Sequence, residues 1–239
     1  MHRFFVAAQE IGESDITLSP EILKHMQVLR IKPDEKIVLC DGSGTDFICV
    51  FADGRANILA RVPNQAEPKI NCHVYLALSK GERLEWAIQK SVELGAVSIT
   101  LFPSARSIAK FDDKTVPKKI TRFTQIAEEA AKQAGRGILP EIRYLPNFGA
   151  LAEGIGERDV TLFFYELESQ KTLTKALAEA GEPEHIHLII GPEGGFSEEE
   201  ATLAQNAGFV SVSLGKRILR CETAPVAALS MLMFWAGEC

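Results

Sequence analysis

The sequence predicts an α/β protein in which a small N-terminal β-barrel precedes a larger domain with a parallel sheet. Short strand-like runs separated by turn residues fill the first third of the chain. A proline-bearing segment at 62–68 then interrupts the hydrophobic pattern. Beyond it, apolar strands alternate with helices, which is typical of a parallel sheet covered on both faces. We therefore expect two domains, residues 1–68 and 69–239.

The first domain is predicted to be rich in strands. Turn sequences at 41–44 and 52–54 separate three strand candidates, residues 36–40, 47–51 and 56–62. Ser19 is a suitable N-cap and Pro20 a suitable first residue for one helix. Such a module becomes barrel-like if it closes its sheet edges.

The second domain is predicted because the pattern of hydrophobic residues changes after the linker at 62–68. Its apolar strand candidates are residues 72–78, 97–102, 160–165, 187–190 and 209–214. Its helix candidates are residues 82–94, 117–134, 170–180, 197–206 and 223–235. In open parallel sheets, ligands bind where the carboxyl ends of the strands lead into loops. The loops after the late strands are therefore the first places to search for a site.

Composition excludes several classes of protein. The net charge of −6 disfavours a general nucleic-acid coater, although residues 79–143 carry 12 basic and 8 acidic side chains. The longest apolar stretch, residues 226–236, is too short to cross a bilayer, and we expect neither a signal peptide nor a membrane partner. Five scattered cysteines without a C-x-x-C pair indicate neither a disulfide framework nor a metal site. A cytoplasmic location is expected.

The first unusual loop follows the predicted strand at 187–190. It reads Gly191-Pro192-Glu193-Gly194-Gly195, and a helix then begins with Ser197 and three glutamates. Ser197 and Glu200 form a predicted capping box. The acidic first turn would repel a phosphate, and no phosphate-binding glycine signature is present. The glycines indicate either close approach to a less anionic ligand or only a tight turn.

The second unusual loop spans residues 213–224. Lys216, Arg217 and Arg220 follow a predicted core strand, and a nearly unbroken apolar helix comes next. An arginine at a strand end suits a carboxylate or phosphate ligand, although such residues could also be surface charges. The position at the sheet edge favours the functional interpretation.

These two loops resemble the paired signature of the RsmE family of SPOUT-class methyltransferases. Further similarities run through the whole chain in order. They include Arg3-Phe4-Phe5, the 25–30 segment, Lys80-Gly81, Glu85, Gln89-Lys90, Glu93-Leu94-Gly95, Arg106-Ser107, Glu129-Ala130-Ala131, Gln133 and Arg136. Lys216 departs from the pattern, because proline is common there in the family.

The resemblance implies S-adenosylmethionine-dependent methylation of uridine N3 in 16S ribosomal RNA. It also implies a PUA-like RNA-binding barrel, a SPOUT-type parallel sheet with a trefoil knot, and a homodimer. The partner would be 16S ribosomal RNA or the small ribosomal subunit. Carried over onto this chain, the cofactor residues are Tyr165, Gly191, Pro192, Glu193, Gly194, Gly195, Leu214, Gly215, Arg217, Ile218, Leu219 and Ala224.

Four residues are candidates for catalysis. Uridine N3 must lose a proton, so a guanidinium near O2 or O4 would stabilise the developing charge. Arg106 and Arg136 suit this role, although each could equally be a phosphate contact. Glu222 could accept a proton or simply hold Arg220. No metal is required.

The target base must be unpaired or flipped, so most contacts are expected with the RNA backbone. The candidates for RNA binding are Arg3, Arg30, Lys110, Lys118, Lys119 and Arg122. The last helix is apolar on all sides, which predicts complete burial within the chain or partly against a second copy. A non-catalytic RNA-binding ribosome assembly factor is the alternative. A nucleotide or dinucleotide enzyme is a more distant one.

Overall fold

The structure is a computed structural model that describes residues 1–153, 155–156 and 159–238. The chain divides into two compact units. The N-terminal unit comprises Met1–Glu67 and Glu128–Leu139, and the C-terminal unit comprises Pro68–Ala127 and Pro140–Cys239. The segment 128–139 thus belongs to the first unit although it lies far along the chain. Local sequence patterns cannot predict this, because it depends on contacts between distant segments.

The N-terminal unit is built on one five-stranded sheet. Its elements are β1 (His2–Phe5), β2 (Asp15–Thr17), α1 (Pro20–Val28), β3 (Lys36–Cys40), β4 (Thr45–Ala52) and β5 (Arg55–Pro63). The strand order is β1-β3-β4-β5-β2, with β1 and β3 parallel and the other pairs antiparallel. The three predicted strands are confirmed. The edge strands β1 and β2 were missed because four and three residues are too few to show a period.

The sheet curls around a single core. Phe4 on β1 and Ile16 on β2 lie on opposite edge strands, yet both are buried in the same hydrophobic cluster. Helix α1 contributes Met26 to this cluster, and the Ser19 hydroxyl accepts a hydrogen bond from the Ile22 amide at 3.3 Å. The predicted cap is therefore confirmed, and the unit is a small barrel-like module.

The C-terminal unit is built on a six-stranded, fully parallel sheet. Its strands are β6 (Asn71–Ala77), β7 (Ser98–Phe102), β8 (Glu141–Tyr144), β9 (Val160–Phe164), β10 (His185–Ile190) and β11 (Val210–Val212). The strand order is β11-β9-β10-β6-β7-β8. Its helices are α2 (Glu82–Glu93), α4 (Leu173–Glu179), α5 (Glu198–Asn206) and α6 (Thr223–Trp235), and α3 (Val116–Ala134) begins in this unit.

The predicted α/β alternation is confirmed, with one strand missing from the prediction. Strand β8 has only four residues, of which Ile142 alone is fully buried, so its sequence did not show an apolar run. The buried strands β9 and β10 were easily predicted because nearly every residue in them is apolar.

Helix α6 begins and ends where predicted, but it is not buried on all sides within the chain. It packs against α2 and β10. Three large apolar side chains on its outer face are exposed to solvent: Phe234 is 75% exposed, Met231 49% and Trp235 40%. Among the residues described, no helix is both long and apolar enough to cross a membrane.

Candidate active site

A cavity of about 510 Å³ opens at the carboxyl ends of three adjacent strands, β10, β9 and β11. This volume is typical of small-molecule sites. The cavity walls are the loops that follow these strands, and every residue predicted for cofactor binding lines it. The lining also includes Arg83, Glu166, Lys216, Arg220, Cys221 and Glu222.

The first wall is the glycine-rich loop after β10. Gly195 has φ +67°, and a Cβ atom there would lie 1.8 Å from the Oε1 atom of Glu166. A Cβ atom on Gly191 would lie 3.0 Å from the ring of Phe196. Backbone and neighbouring side chains therefore already occupy the space that larger residues would need. The glycines therefore allow neighbouring side chains to lie close to the loop backbone, in addition to allowing the backbone to turn.

The start of α5 holds this loop in place. The predicted capping box is confirmed: the Glu200 amide donates to the Ser197 hydroxyl at 3.2 Å, and the Ser197 amide donates to the Glu200 carboxylate at 2.9 Å. Glu200 is buried and also accepts from the Ser104 hydroxyl and the Ala105 amide. One carboxylate therefore connects the loop after β10 to the loop after β7.

That connection places Arg106 beside the cavity. The Arg106 guanidinium donates to the Gly194 carbonyl at 3.3 Å and lies 3.9 Å from the Glu166 carboxylate. The side chain is half exposed. Glu166 was missed by the sequence analysis, because a lone glutamate after a strand carries no distinctive signal.

The second wall is the loop between β11 and α6. Gly215 has φ +106°, a backbone conformation that favours glycine. Arg217, Ile218 and Arg220 are all exposed, with Ile218 at 87%. This wall therefore lies open to solvent.

Arg83 connects two carboxylates from the two walls. Its Nη1 atom lies 2.9 Å from Glu193, and its Nε atom lies 3.9 Å from Glu222. Burial would raise the pKa of Glu193, but hydrogen bonds from its own amide, the Lys80 amide and Arg83 together lower it. Arg83 was missed by the sequence analysis. The available signal was a cation in the first turn of α2, where the helix dipole disfavours it.

Glu222 also contacts Arg220, at 4.0 Å, and accepts from the Cys221 thiol at 3.3 Å. Burial, followed by the hydrogen bond with Glu222, raises the pKa of Cys221 to about 12. The thiol is therefore protonated near neutral pH and unsuited to act as a nucleophile. These contacts are consistent with Glu222 holding Arg220, and both predicted roles of Glu222, this one and proton transfer, stay predictions.

Arg136 and Arg3 lie in the N-terminal unit, in ion pairs. The Arg136 side chain is 2% exposed and donates to Glu67 at 2.6 Å. Arg3 donates to both carboxylate oxygens of Asp46, at 2.6 and 2.8 Å. Neither arginine lines the cavity. The catalytic role of Arg136 and the RNA contact of Arg3 stay predictions.

The other residues predicted to contact RNA lie mostly at the surface. Arg30, Lys110 and Lys118 are exposed. Arg122 is exposed but pairs with Glu85 at 2.8 Å. Lys119 is half-buried, with its ammonium 4.5 Å from the centre of the Phe111 ring.

A second polar cluster lies near the amino ends of the strands. His187 contacts Asp159 and Tyr75, each at 3.1 Å, and stacks on His73. His73 contacts His185 at 3.0 Å. Within the described part of the chain, no group of three or more histidine, cysteine, aspartate or glutamate side chains is arranged to hold a metal ion.

Comparison with known proteins decides the family. A family model described as an RNA methyltransferase domain matches residues 66–233, and a second, an RNA methyltransferase PUA domain, matches residues 18–62. A ribosomal RNA small subunit methyltransferase E from Bacillus subtilis is 32% identical and aligns over 98% of this chain and 96% of its own. The chain belongs to the ribosomal RNA small subunit methyltransferase E family.

Solved structures from this family agree in fold. One is a ribosomal RNA small subunit methyltransferase E from Neisseria gonorrhoeae bound to S-adenosyl methionine, with a TM-score of 0.87 and 31% identity over 98% of both chains. Another, a methyltransferase from Legionella pneumophila in complex with the same cofactor, has a TM-score of 0.86 and 32% identity over 98% and 97%. This family member is an RNA methyltransferase with a PUA domain, as the sequence resemblance predicted.

Proposed function

We propose that this protein transfers a methyl group from S-adenosylmethionine to N3 of a uridine in 16S ribosomal RNA. The observation that carries the proposal is the cavity at the carboxyl ends of β10, β9 and β11, walled by both glycine-bearing loops. Relatives of known name methylate ribosomal RNA of the small subunit, and two similar solved structures hold the cofactor.

The residues present fit the proposed cofactor. Because Cβ atoms at Gly191 and Gly195 would meet neighbouring side chains, the loop brings its backbone close to the cavity. Backbone amides and carbonyls can then hold an adenine and ribose by hydrogen bonds. The Glu193 and Glu222 carboxylates lie on the cavity wall, where Arg83 bridges them and holds the two loops around the space for the cofactor. When bound, the cofactor supplies an electrophilic methyl group.

The protein must hold uridine N3 in line with that methyl group and favour loss of the N3 proton. The first task is orientation. The second is stabilisation of negative charge on the uracil oxygens by fixed donors. Of the two arginines predicted for this role, we propose Arg106, because it is hydrogen-bonded to the cavity loop at Gly194 and its side chain is half exposed. The Arg136 guanidinium is engaged with Glu67.

We also propose that Arg220, Lys110 and Lys118 contact the RNA backbone, because all three are exposed cations. Arg30 would add a contact from the PUA-like unit. A cytoplasmic location fits this substrate. It also fits the cysteines, since the four that lie in the described residues are free thiols.

We propose that the protein is a homodimer with a trefoil knot, as the family resemblance implies. The support for the dimer is apolar surface on two helices that pack together. Phe234 and Trp235 of α6 and Trp86 of α2 are 75%, 40% and 42% exposed. Exposed apolar surface of this kind marks association. Sedimentation should give a dimer, and Phe234→Glu should give a monomer; a wild-type monomer with full activity would contradict the proposal.

The decisive experiment on function is reverse transcription across 16S RNA from cells with and without this protein. N3 methylation blocks base pairing, so a stop in normal cells should vanish on deletion. Wild-type protein should restore the stop, and Arg106→Gln should restore it weakly while still binding the cofactor. An unchanged stop pattern would refute the proposal.

The alternative is a ribosome assembly factor that binds RNA without catalysis. Its support is the PUA-domain match and the basic segment 79–143. Calorimetry with S-adenosylmethionine discriminates the two, because an assembly factor has no need of an intact cofactor cavity.

A further inference from the structure

An aromatic stack lies at the carboxyl end of β8, outside the cofactor cavity. Phe111, between β7 and α3, stacks on Tyr144 with ring centroids 6.0 Å apart and an interplanar angle of 25°. It also stacks on Phe123 of α3, at 6.2 Å and 24°. Phe123 is buried, whereas Phe111 and Tyr144 are partly exposed. The stack therefore runs from the core to the surface.

One lysine lies over this stack, and further basic residues are close to it in the sequence. The Lys119 ammonium lies 4.5 Å from the Phe111 ring centre. Residues 106–122 contain six basic and two acidic side chains, a local charge of +4 on a chain of net charge −6. Of these, Lys110, Lys114 and Lys118 form no ion pair with any residue that the structure describes. Lysines that are close in sequence to partly exposed rings complement a phosphate backbone with unstacked bases.

The two acidic residues of this segment, Asp112 and Asp113, are already counted in its charge of +4. The Asp112 carboxylate accepts from the Lys114 amide at 3.0 Å, and its carbonyl accepts from the Thr115 hydroxyl. Asp112 is thus engaged in the turn that leads into α3. Asp113 is exposed and lies near Tyr144. The pKa of the Tyr144 phenol is raised mainly by burial and to a smaller extent by the negative charge of Asp113.

The stack and the cavity share one edge of the sheet. Strands β10 and β8 are three places apart, which is about 14 Å at the usual strand spacing of ~4.8 Å. Arg106 follows β7, between them, and is bonded to the cavity loop at Gly194. A single strand with its target base in the cavity could therefore pass Arg106 and reach the rings.

We propose that Tyr144, supported by Phe111 behind it, forms a base-stacking subsite for an unpaired RNA nucleotide next to the methylated base. The proposal rests on the proposed function, since it assumes an RNA strand in the active site. Stacking on an aromatic face accepts any base, so this subsite adds affinity and fixes the path of the strand without reading sequence. Lys110 and Lys118 would hold the adjacent phosphates.

The test is fluorescence anisotropy with labelled oligouridylates of about 12 nucleotides, one set carrying a single abasic ribose at successive positions. Tyr144→Leu and Phe111→Leu should each weaken binding about tenfold, whereas Tyr144→Phe, which keeps the ring, should stay within about twofold. One abasic position should weaken wild type about tenfold and have no further effect on Tyr144→Leu.

Lys118→Gln is the matched control, because it removes charge and leaves the rings. It should lower the slope of log affinity against log salt by about one, equally for intact and abasic RNA. Unfolding temperature and S-adenosylmethionine affinity verify that each variant is folded. If both leucine variants bind every oligonucleotide as wild type does, the subsite is refuted while the proposed function stands. If wild type neither binds RNA nor methylates 16S RNA, both proposals are refuted.

Discussion

The guanidinium of Arg136 donates to the carboxylate of Glu67 at 2.6 Å, and only 2% of the arginine side chain is exposed. Glu67 also accepts from the amides of Gly137 and Ile138, at 2.8 and 2.9 Å. The pair therefore fastens the segment after α3 to the end of β5 within the N-terminal unit. Arg136, which the sequence predicts as a candidate for catalysis, therefore also contributes to the packing of this unit.

Glu67→Ala should lower the free energy of unfolding by roughly 3–5 kcal/mol, because it removes a carboxylate that pairs with a buried guanidinium. Urea unfolding measures this directly. Asp15→Ala is the control: it breaks an exposed pair with Arg55 and should cost less than about 1 kcal/mol. If Arg136→Ala instead kept wild-type stability and lost turnover, the result would support the catalytic prediction for Arg136.

Gly195→Ala should weaken cofactor binding at least about tenfold and lower stability by roughly 1–3 kcal/mol, since strain at positive φ adds to a contact with Glu166. Gly181→Ala is the matched control. Its φ of +68° is almost the same, but no atom lies within 4 Å of the added Cβ. Calorimetry and thermal unfolding should separate the two effects. Equal losses in both variants would show that the Glu166 contact is unimportant.

Arg83→Gln should weaken S-adenosylmethionine binding, because it leaves Glu193 and Glu222 unbridged on the cavity wall. Arg83→Lys should retain part of the affinity.

The pKa of Glu193 is lower in the folded protein than in the unfolded chain. Its contribution to stability is therefore fully present above the pKa of the unfolded chain and is lost as the pH falls through the pKa of the folded protein. In Arg83→Gln the Glu193 pKa should rise. An NMR titration in which it stays unchanged would contradict the bridge.

The free energy of unfolding should fall as pH is lowered from about 6.5 to about 4. Burial, and then the nearby His187, lowers the pKa of His73 to about 4, so the unfolded chain binds a proton before the folded one does. His73→Gln should make this part of the pH profile flatter. Urea unfolding at several pH values is the measurement, and parallel profiles for both proteins would exclude His73 as a cause.

Local patterns determined much of this protein. Strands such as β9 and β10 are nearly continuous apolar runs, and the helix cap at Ser197 depends on residues close to it in the sequence. Both features are therefore predictable from local sequence. The two glycine-bearing loops were identified as a site because the carboxyl ends of parallel strands meet at one edge. All twelve residues predicted for the cofactor line the resulting cavity.

Tertiary structure alone decided which charges meet. Arg136 and Glu67 are 69 residues apart, and Arg83 and Glu193 are 110 apart, so no period or spacing reports their pairing. An isolated arginine has the same sequence signal whether it faces RNA or a buried carboxylate. Burial depends on the packing of distant segments, whereas strands and caps depend on neighbours in the chain. For that reason the sequence predicted the loops that line the cavity, and only the fold shows which arginines lie beside them.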